Sequence, residues 1–396
     1  MWSRVIGQDR AIDTLAHALA GGRVGGTYLF HGPSGSGPRA AVLAFAQALL
    51  CERRGRPGGP EGDACGTCPA CAKTARLVHP DLHVYLPFPK VSKGADKDDR
   101  PGDYADRLAA LAAEPYAPVD YSQRAALGDD GPNKKQVEHR KRPMNELLRR
   151  EMTFVPAEGR YVVGILTDAD QIRTQAANAL LKLLEEPGAD VVLILTAERL
   201  ENVLPTILSR CQRVRFDPLA PEAIEAALVS RAGLAPDVAA VTARMADGSY
   251  TRALEISGSE RVQSHRVLAL DFVREAYVGR PDRISPLVQT ASGLGRETLK
   301  GWLDLVALWI RDLVLARAIG AAAPLVNVDQ AQAVHWFVAA LPDADLEAMT
   351  SLVAQATDAI EANGHGGLVL TTLAFGLRDA MHGRSSGRLV TPLDAA

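Results

Sequence analysis

Three kinds of feature are missing from this sequence of 396 residues. It has no long apolar run, so we expect no membrane-spanning helix, and Met1 to Gln8 contains no apolar signal segment. Its formal net charge is only −3, which argues against a protein that wraps nucleic acid by charge alone but leaves a local basic patch open. These absences together predict a cytoplasmic protein, and the length allows two or three domains.

Lysine is also missing from the start of the chain, because none precedes Lys73. This absence matters because the chain begins like a phosphate-binding fold. A short apolar strand at 27–30 enters a glycine-rich loop at 31–37, and an apolar helix follows from about Pro38 to Leu50. Strand, glycine loop and helix in this order predict the opening of a P-loop unit.

The glycine loop keeps only half of the P-loop pattern G-x-x-x-x-G-K-[ST]. Gly32 and Gly37 occupy the two glycine positions, whereas Pro38 stands at the lysine and Arg39 at the hydroxyl residue. A proline cannot contact the β- and γ-phosphates, and the missing hydroxyl would have held Mg²⁺. We therefore predict no productive ATP hydrolysis here. The helix N-terminus could still hold an anion weakly, and the alternative is that the loop is only a tight turn.

The second acidic site of a P-loop enzyme is also altered. The apolar strand 161–166 ends in Thr167, Asp168, Ala169 and Asp170, where an Asp-Glu pair is expected. Asp168 could take the place of the catalytic glutamate, but Thr167 occupies the magnesium-holding position. We favour the interpretation that Asp168 and Asp170 cap the following helix.

Four of the five cysteines form a cluster along the chain. Cys51, Cys65, Cys68 and Cys71 have the spacing C-x13-C-x2-C-x2-C, and gaps of two residues let thiolates converge on one tetrahedral ion. In a reducing compartment this predicts a closed, structural zinc site rather than disulfides. Two alternatives remain open: His79 or His83 replaces one cysteine, or the thiols are unliganded. Cys211 stands apart and is not expected to be a ligand.

Continuous apolar runs predict a parallel sheet covered on both faces. Besides the strand at 27–30, these runs are 161–166, 191–195 and 213–216, and a helix is expected over 171–186. The segment 90–143 is polar and irregular, with one short helix predicted around 106–113. The sequence therefore predicts a doubly wound α/β domain with a solvated insertion.

After Pro218 the strand signals end and helices follow. Residues 221–256 form a small helical unit, and five helices are expected between 263 and 382, the clearest at 296–319, 346–362 and 368–382. The expected domains are an α/β domain at 1–217, a helical lid at 218–262, a helical domain at 263–382 and a tail at 383–396.

Three stretches in this order carry a family resemblance. They are Asn178–Pro187 (NALLKLLEEP), Leu204–Cys211 with its Ser-Arg-Cys motif, and the four-cysteine module after the P-loop helix. Together they resemble the bacterial clamp-loader family, the delta-prime and tau/gamma subunits of DNA polymerase III. The resemblance covers residues 1–80 and 155–260, and it implies an AAA+ domain with a helical lid and a C-terminal all-helical collar for oligomerisation.

The resemblance also implies roles for single residues. Arg210 of the Ser-Arg-Cys motif matches the arginine that projects into the ATP site of an adjacent subunit, although on its own it would pass for a surface arginine. Thr196 matches the polar sensor position and Arg252 the sensor arginine of the lid. With Gly32, Gly37, Pro38, Arg39 and Asp168 they would form a vestigial nucleotide site.

The altered P-loop resembles delta-prime rather than tau/gamma, because tau/gamma subunits keep the lysine and hydroxyl. The resemblance then implies a non-hydrolysing subunit of a heteropentamer with tau/gamma and delta, which loads the sliding clamp on primed DNA. Two rivals stay open. One is an active ATPase of the same family, and the other is a stand-alone zinc-containing DNA-binding protein, which the near-neutral charge disfavours.

Overall fold

The structure is a computed structural model. It describes residues 1–89, 101–117, 137–138, 155–172, 180–181, 183–185, 187–258, 260–384 and 387–389. These residues group into two compact units. Unit 1 comprises Met1–Ala232 with Ala246–Leu254, and unit 2 comprises Gly233–Met245 with Glu255–Ala396.

Unit 1 is built on a parallel five-stranded sheet with the strand order β2-β5-β6-β1-β7. Its strands are β1 (Thr27–His31), β2 (Leu82–Tyr85), β5 (Val162–Leu166), β6 (Val191–Ala197) and β7 (Gln212–Arg215). The two-residue strands β3 (Phe88–Pro89) and β4 (Val137–Glu138) pair separately in antiparallel register. The parallel sheet predicted from the continuous apolar runs is confirmed. β2, which sequence patterning missed, is a short strand at its edge.

The register of the sheet brings three strand ends together. Phe30 of β1 pairs with Thr196 of β6, and Leu166 of β5 pairs with Leu195 of β6. All three strands run parallel, so their carboxyl ends lie at one edge of the sheet, where α/β proteins place their ligand sites. The glycine loop after β1 and the acidic segment after β5 therefore meet beside Thr196.

Helices surround the sheet of unit 1. They are α1 (Asp9–Ala20), α2 (Pro38–Leu50), α3 (Pro69–Ala75), α4 (Pro101–Ala113), α5 (Pro205–Leu208) and α6 (Pro221–Ala232). Tyr28, Phe30 and Phe45 pack edge to face or tilted between β1 and α2 with ring centroids 5.2–6.2 Å apart. Aromatic packing of this kind stabilises a fold beyond the burial of surface area alone. It fixes α2, the helix that follows the glycine loop, against β1.

Several predictions fall partly outside the described residues. Of the expected helix 171–186, residues 180–181 and 183–185 are helical, and 173–179, 182 and 186 are not described. Within the segment 90–143 the described parts are α4, which is longer than the helix expected at 106–113, the turn that follows it, and β4. Of the predicted tail, residues 383–384 and 387–389 are described.

Unit 2 is all helical in its described residues. It contains α7 (Pro236–Met245), part of α8 (Tyr250–Ser257), α9 (Glu260–Val278), α10 (Pro281–Ser292), α11 (Arg296–Ile319), α12 (Ala331–Ala340), α13 (Leu346–Glu361) and α14 (Gly366–Met381). Six helices thus follow residue 259, where five were expected, and the three clearest were located correctly.

The core of unit 2 forms around α11, whose Trp302 and Leu303 are fully buried. A polar cluster ties the segment after α11 to this core. The carboxylate of the buried Asp312 accepts the backbone N–H of Val326 at 2.9 Å and of Asn327 at 2.8 Å. Because its oxygens are paired, the buried carboxylate does not penalise the core. Among the described residues, no helix is long and apolar enough to cross a membrane.

Candidate functional site

The glycine loop has the backbone shape of a phosphate-binding loop. Gly35 and Gly37 have φ of +75° and +120°, conformations that side chains with a Cβ rarely adopt. Pro38 is the first residue of α2, where the missing N–H costs nothing because that N–H has no partner inside the helix. The proline that removes the lysine therefore fits the helix start without distortion.

An arginine fills the acidic side of this loop. Arg39 donates from Nη2 to Oδ1 of Asp168 at 3.3 Å, and both side chains are about one-fifth exposed. Asp168 has a φ of +54°, and its N–H donates to Oγ1 of the buried Thr196 at 3.0 Å. The guanidinium thus faces the carboxylate beside which a P-loop enzyme would hold its metal ion.

The cap that Asp168 and Asp170 were predicted to form on the helix 171–186 lies outside the described residues, because the start of that helix is not described. Asp168 occupies the N-cap position of the short 3-10 helix Ala169–Gln171 but makes no side-chain capping hydrogen bond there. Asp170 instead accepts the backbone N–H of Glu198 at 3.3 Å, after β6, and burial raises the pKa of its carboxyl. The two aspartates therefore connect β5 to α2 and β6.

Six of the seven residues predicted for the vestigial site line one recess, namely Gly32, Gly37, Pro38, Arg39, Asp168 and Thr196. The recess is partly open to solvent. The seventh residue, Arg252, is exposed and does not line it.

Tyr116 and Thr251 are among the lining residues that sequence analysis missed. Tyr116 follows α4 in a polar segment that carries no recognisable motif. Thr251 belongs to a segment that covers the glycine loop: a Cβ added at Gly35 would lie 2.8 Å from its backbone nitrogen. No spacing rule links either residue to the P-loop, so only the folded chain reveals them.

Arg210 lies outside the recess, on the surface after α5. Its Nη2 donates to Oε1 of Glu185 at 2.6 Å, and its Nη1 donates to the carbonyl oxygen of Thr206 at 2.9 Å. The side chain is 32% exposed, so the guanidinium is held by its own chain yet reachable. Oγ1 of Thr27 in β1 donates to the Arg210 carbonyl at 2.6 Å, which ties the arginine to the sheet.

The four predicted cysteines converge. The Sγ atoms of Cys51, Cys65, Cys68 and Cys71 all lie within 4.8 Å of one another, and those of Cys65 and Cys71 are 3.9 Å apart. Four sulfurs at about 2.3 Å from one zinc ion would be roughly 3.8 Å apart. The donor set, its closed shape and its spacing therefore fit a structural Zn²⁺.

Backbone N–H groups point at these sulfurs. Cys65 donates to Sγ of Cys51, Cys68 to Sγ of Cys65, and Cys71 to Sγ of Cys68, each at 3.4 Å. Although burial opposes it, such N–H groups from Thr67 and Cys68 lower the pKa of the Cys65 thiol to about 6. Donors of this kind stabilise thiolate, the form that binds metal.

The histidines proposed as alternative ligands do not join the cluster. Among the described residues the group that could hold an ion consists of the four cysteines alone. His79 is buried, and its Nδ1 accepts the backbone N–H of Asp81 at 3.1 Å. Cys211 is also outside the cluster, as expected, and burial raises the pKa of its thiol to about 11.

Comparisons with known proteins identify the family of this chain. The model of a family described as "DNA polymerase III, delta subunit" matches residues 7–220. The chain is 28% identical over 259 residues to DNA polymerase III subunit delta' of Bacillus subtilis, covering 65% of this chain and 62% of that protein.

Two further relatives are similar over shorter spans. Subunit delta' of Pseudomonas aeruginosa is 34% identical over 184 residues, 46% of this chain and 40% of that protein. Subunit gamma/tau of Mycobacterium bovis is 27% identical over 227 residues, 57% of this chain and 30% of that protein. The chain thus spans less than two thirds of the length of each of these relatives.

Proposed function

Because this chain belongs to the DNA polymerase III delta subunit family, we propose that it is a non-hydrolysing, delta-prime-like subunit of a clamp loader. In this role it assembles with tau/gamma and delta subunits as a heteropentamer. It lends Arg210 to the ATP site of a neighbouring subunit and acts as a rigid scaffold while the assembly loads a sliding clamp on primed DNA.

The observation that carries the proposal is the ion pair between Arg39 and Asp168 at 3.3 Å. Phosphoryl transfer depends on positioning and on cations beside the transferred group, chiefly a lysine and Mg²⁺. In this chain Pro38 removes the lysine, and the guanidinium of Arg39 neutralises the carboxylate on the acidic side. The recess therefore lacks the groups for hydrolysis.

The setting of Arg210 supports its role in a neighbouring site. A guanidinium carries a fixed fork of donors that matches the charge developing on a γ-phosphate. Glu185 and the Thr206 carbonyl orient this fork but leave it partly exposed. In the assembled loader Arg210 would stabilise the transition state of the neighbour, because it reaches no recess residue of its own chain.

The remaining residues take supporting roles in this proposal. The four cysteines hold one structural Zn²⁺, which fastens the loop 51–68 to α2 and α3. Residues 1–217 act as the AAA+ domain, 218–262 as its lid and 263–382 as the collar that assembles the oligomer. Contacts with DNA would be made mainly to backbone phosphates.

ATP hydrolysis by a reconstituted loader tests the proposal. The chain alone should be inactive, and Arg210→Ala should lower hydrolysis by the assembly by about 10³-fold at the one site it serves, the smaller end of the effect known for such arginines. Arg210→Lys should recover only part of the loss, because an ammonium lacks the fork. Arg213→Ala, an exposed arginine on β7, is the matched control and should leave the rate unchanged.

Other results would favour the rival functions. Hydrolysis by the chain alone would identify an active tau/gamma-like ATPase. Tight, strongly salt-dependent binding of DNA by the chain alone would instead support a zinc-containing DNA-binding protein. An assembly unaffected by Arg210→Ala would remove the role proposed for that arginine.

A further inference from the structure

Tyr116 lies in the middle of unit 1 although it comes from the polar segment after α4. The side chain is 2% exposed, and its ring meets the ring of Tyr250 edge to face, with centroids 5.2 Å apart. Burial raises the pKa of its hydroxyl to about 12, so it remains a neutral phenol at physiological pH. A tyrosine buried this completely in a surface segment has a specific docking place.

Two hydrogen bonds fix Tyr116 next to the glycine loop. Its Oη accepts the backbone N–H of Ile6 at 2.9 Å, and its carbonyl oxygen accepts from Oγ1 of Thr251 at 2.6 Å. A Cβ added at Gly37 would lie 3.0 Å from that Oη. The phenol therefore contacts the last glycine of the loop directly, and Pro115 beside it lines the same recess.

The recess has two distinct sides. Phosphates bind at the N-terminus of the helix after a P-loop, with the terminal phosphate and its metal beside the acidic residue. That side is occupied here by Arg39 and Asp168. Gly37 precedes the first turn of α2, and the hydroxyl of Tyr116 lies against it. A nucleotide whose phosphates bind at this loop would therefore meet the phenol of Tyr116 beside Gly37.

We propose that Tyr116 is an internal occupant of this nucleotide cleft, which stands beside Gly37 where a bound nucleotide would meet it and excludes adenine nucleotides from the chain. Arg39 pairs with the acidic residue Asp168, and the phenol lies against Gly37. The inference rests on the proposed origin of this recess as a nucleotide site, and it goes further than loss of hydrolysis because it concerns binding itself.

Three variants of the full chain separate the two causes of exclusion. P38K/R39T restores the lysine and the hydroxyl, P38K/R39T/Y116A also removes the phenol, and P38K/R39T/Y277A removes a tyrosine in unit 2 that is 37% exposed. Binding of Mg-ATP is measured by calorimetry, with far-UV circular dichroism as the check on folding. The wild-type chain, P38K/R39T and the Tyr277 control should not bind at about 1 mM, whereas the Tyr116 variant should bind at least about ten-fold more tightly than that limit.

Two results would overturn the inference. One is binding by P38K/R39T that equals binding by P38K/R39T/Y116A, and the other is a folded P38K/R39T/Y116A chain that does not bind. Nucleotide binding without hydrolysis by the wild-type chain would also overturn it while leaving the proposed function intact. Hydrolysis by the wild-type chain would overturn the proposed function as well.

Hydrogen exchange at the Ile6 amide decides the matter if the Tyr116 variant fails to fold. This amide donates to the phenol, so it reports whether Tyr116 stays in place. In P38K/R39T the exchange rate of Ile6 should be the same with and without about 1 mM Mg-ATP. Faster exchange with the nucleotide present would mean that ATP displaces the phenol, which the inference forbids.

Discussion

Arg39 and Arg210 are arginines of the same domain with different surroundings. Arg39 turns into the recess and pairs with Asp168, whereas Arg210 stays at the surface and pairs with Glu185. Sequence motifs alone distinguish the two only by position. The guanidinium of Arg39 is bound inside its own domain. The guanidinium of Arg210 is held by its own chain but is 32% exposed, so it can still donate to another molecule.

We predict that Glu185 positions Arg210. Replacing Glu185 with Gln should lower ATP hydrolysis of the assembled loader by about two- to five-fold, because an exposed ion pair of this kind contributes up to about 1 kcal/mol. The Michaelis constant should not change, since Glu185 touches no nucleotide. Glu198→Gln offers a comparison at another exposed carboxylate, and a change in the Michaelis constant alone would contradict the positioning role.

At the scale of elements, the cysteine cluster fastens a loop with little core of its own. Beyond the four thiols, the buried Gln47 side chain of α2 donates to the Cys71 carbonyl at 2.8 Å, and Glu52 accepts the backbone N–H of Ala70 at 3.1 Å. These hydrogen bonds add to the burial of Ala70, Cys71 and Thr74, which packs α3 against α2. The metal would supply the greater part of the local stability, as it does in small zinc modules.

The zinc prediction can be tested by metal content and proteolysis. The purified chain should hold one equivalent of zinc, and Cys68→Ser should lose it and expose the loop after Cys51 to trypsin at Arg53 and Arg56, because an incomplete set of thiolates no longer closes the site. Cys211→Ser is the matched control, since that thiol lies outside the cluster. Full zinc content in Cys68→Ser would refute the four-cysteine assignment.

A second element-level contact joins the start of β2 to the segment before β5. The carboxylate of the buried Asp81 accepts the backbone N–H groups of Ala157, Glu158 and Gly159 at 2.6–2.9 Å. Although burial opposes it, these hydrogen bonds lower the pKa of Asp81. They hold the edge strand that sequence patterning missed.

Asp81→Asn should lower the free energy of unfolding by about 2–3 kcal/mol, because an amide presents an N–H group where the backbone needs an acceptor. A lowered pKa means that the carboxylate stabilises the fold at neutral pH and loses this effect as the pH falls through its folded value. The difference between wild type and variant in urea unfolding should therefore shrink below about pH 4. Asp13→Asn, at an exposed position of α1, should have the same free energy of unfolding as the wild type, both at neutral pH and below about pH 4.

At the scale of the whole molecule, sequence analysis predicted the features that hydrophobic periodicity and motifs indicate. The parallel sheet, the P-loop helix, the cysteine set and most helices of unit 2 follow from local patterns. Tyr116 and Thr251 could not be predicted, because their place depends on how a polar segment and a helix start dock on the glycine loop. The contact between Arg39 and Asp168 could not be predicted either, because local sequence does not show that Arg39 approaches the end of β5.

The division of the chain into units also depends on long-range packing. Helix α7 belongs to unit 2, where Val241 and Met245 pack with Val326 in one apolar cluster. In the same unit Arg266 pairs with Asp329 at 2.9 Å. Contacts that join residues so far apart in sequence are invisible to composition.

We predict that residues 233–389 fold cooperatively on their own and that residues 258–389 are less stable by about 3 kcal/mol or more. The shorter fragment lacks Val241 and Met245, and burying such side chains contributes roughly 1.5–3 kcal/mol each. Urea unfolding followed by far-UV circular dichroism compares the two fragments. Equal free energies of unfolding would show that α7 adds nothing to unit 2.

If Arg39 and Tyr116 exclude nucleotide as proposed, the recess bears on how this chain could change over evolutionary time. Regaining a lysine at Pro38 brings no benefit while Arg39 and Tyr116 occupy the cleft, and removing Arg39 alone costs Asp168 its ion pair. Removing Tyr116 alone leaves a void between Ile6 and Gly37. On that premise, each single replacement would be neutral or harmful. Restoring the nucleotide site would therefore require several replacements at once.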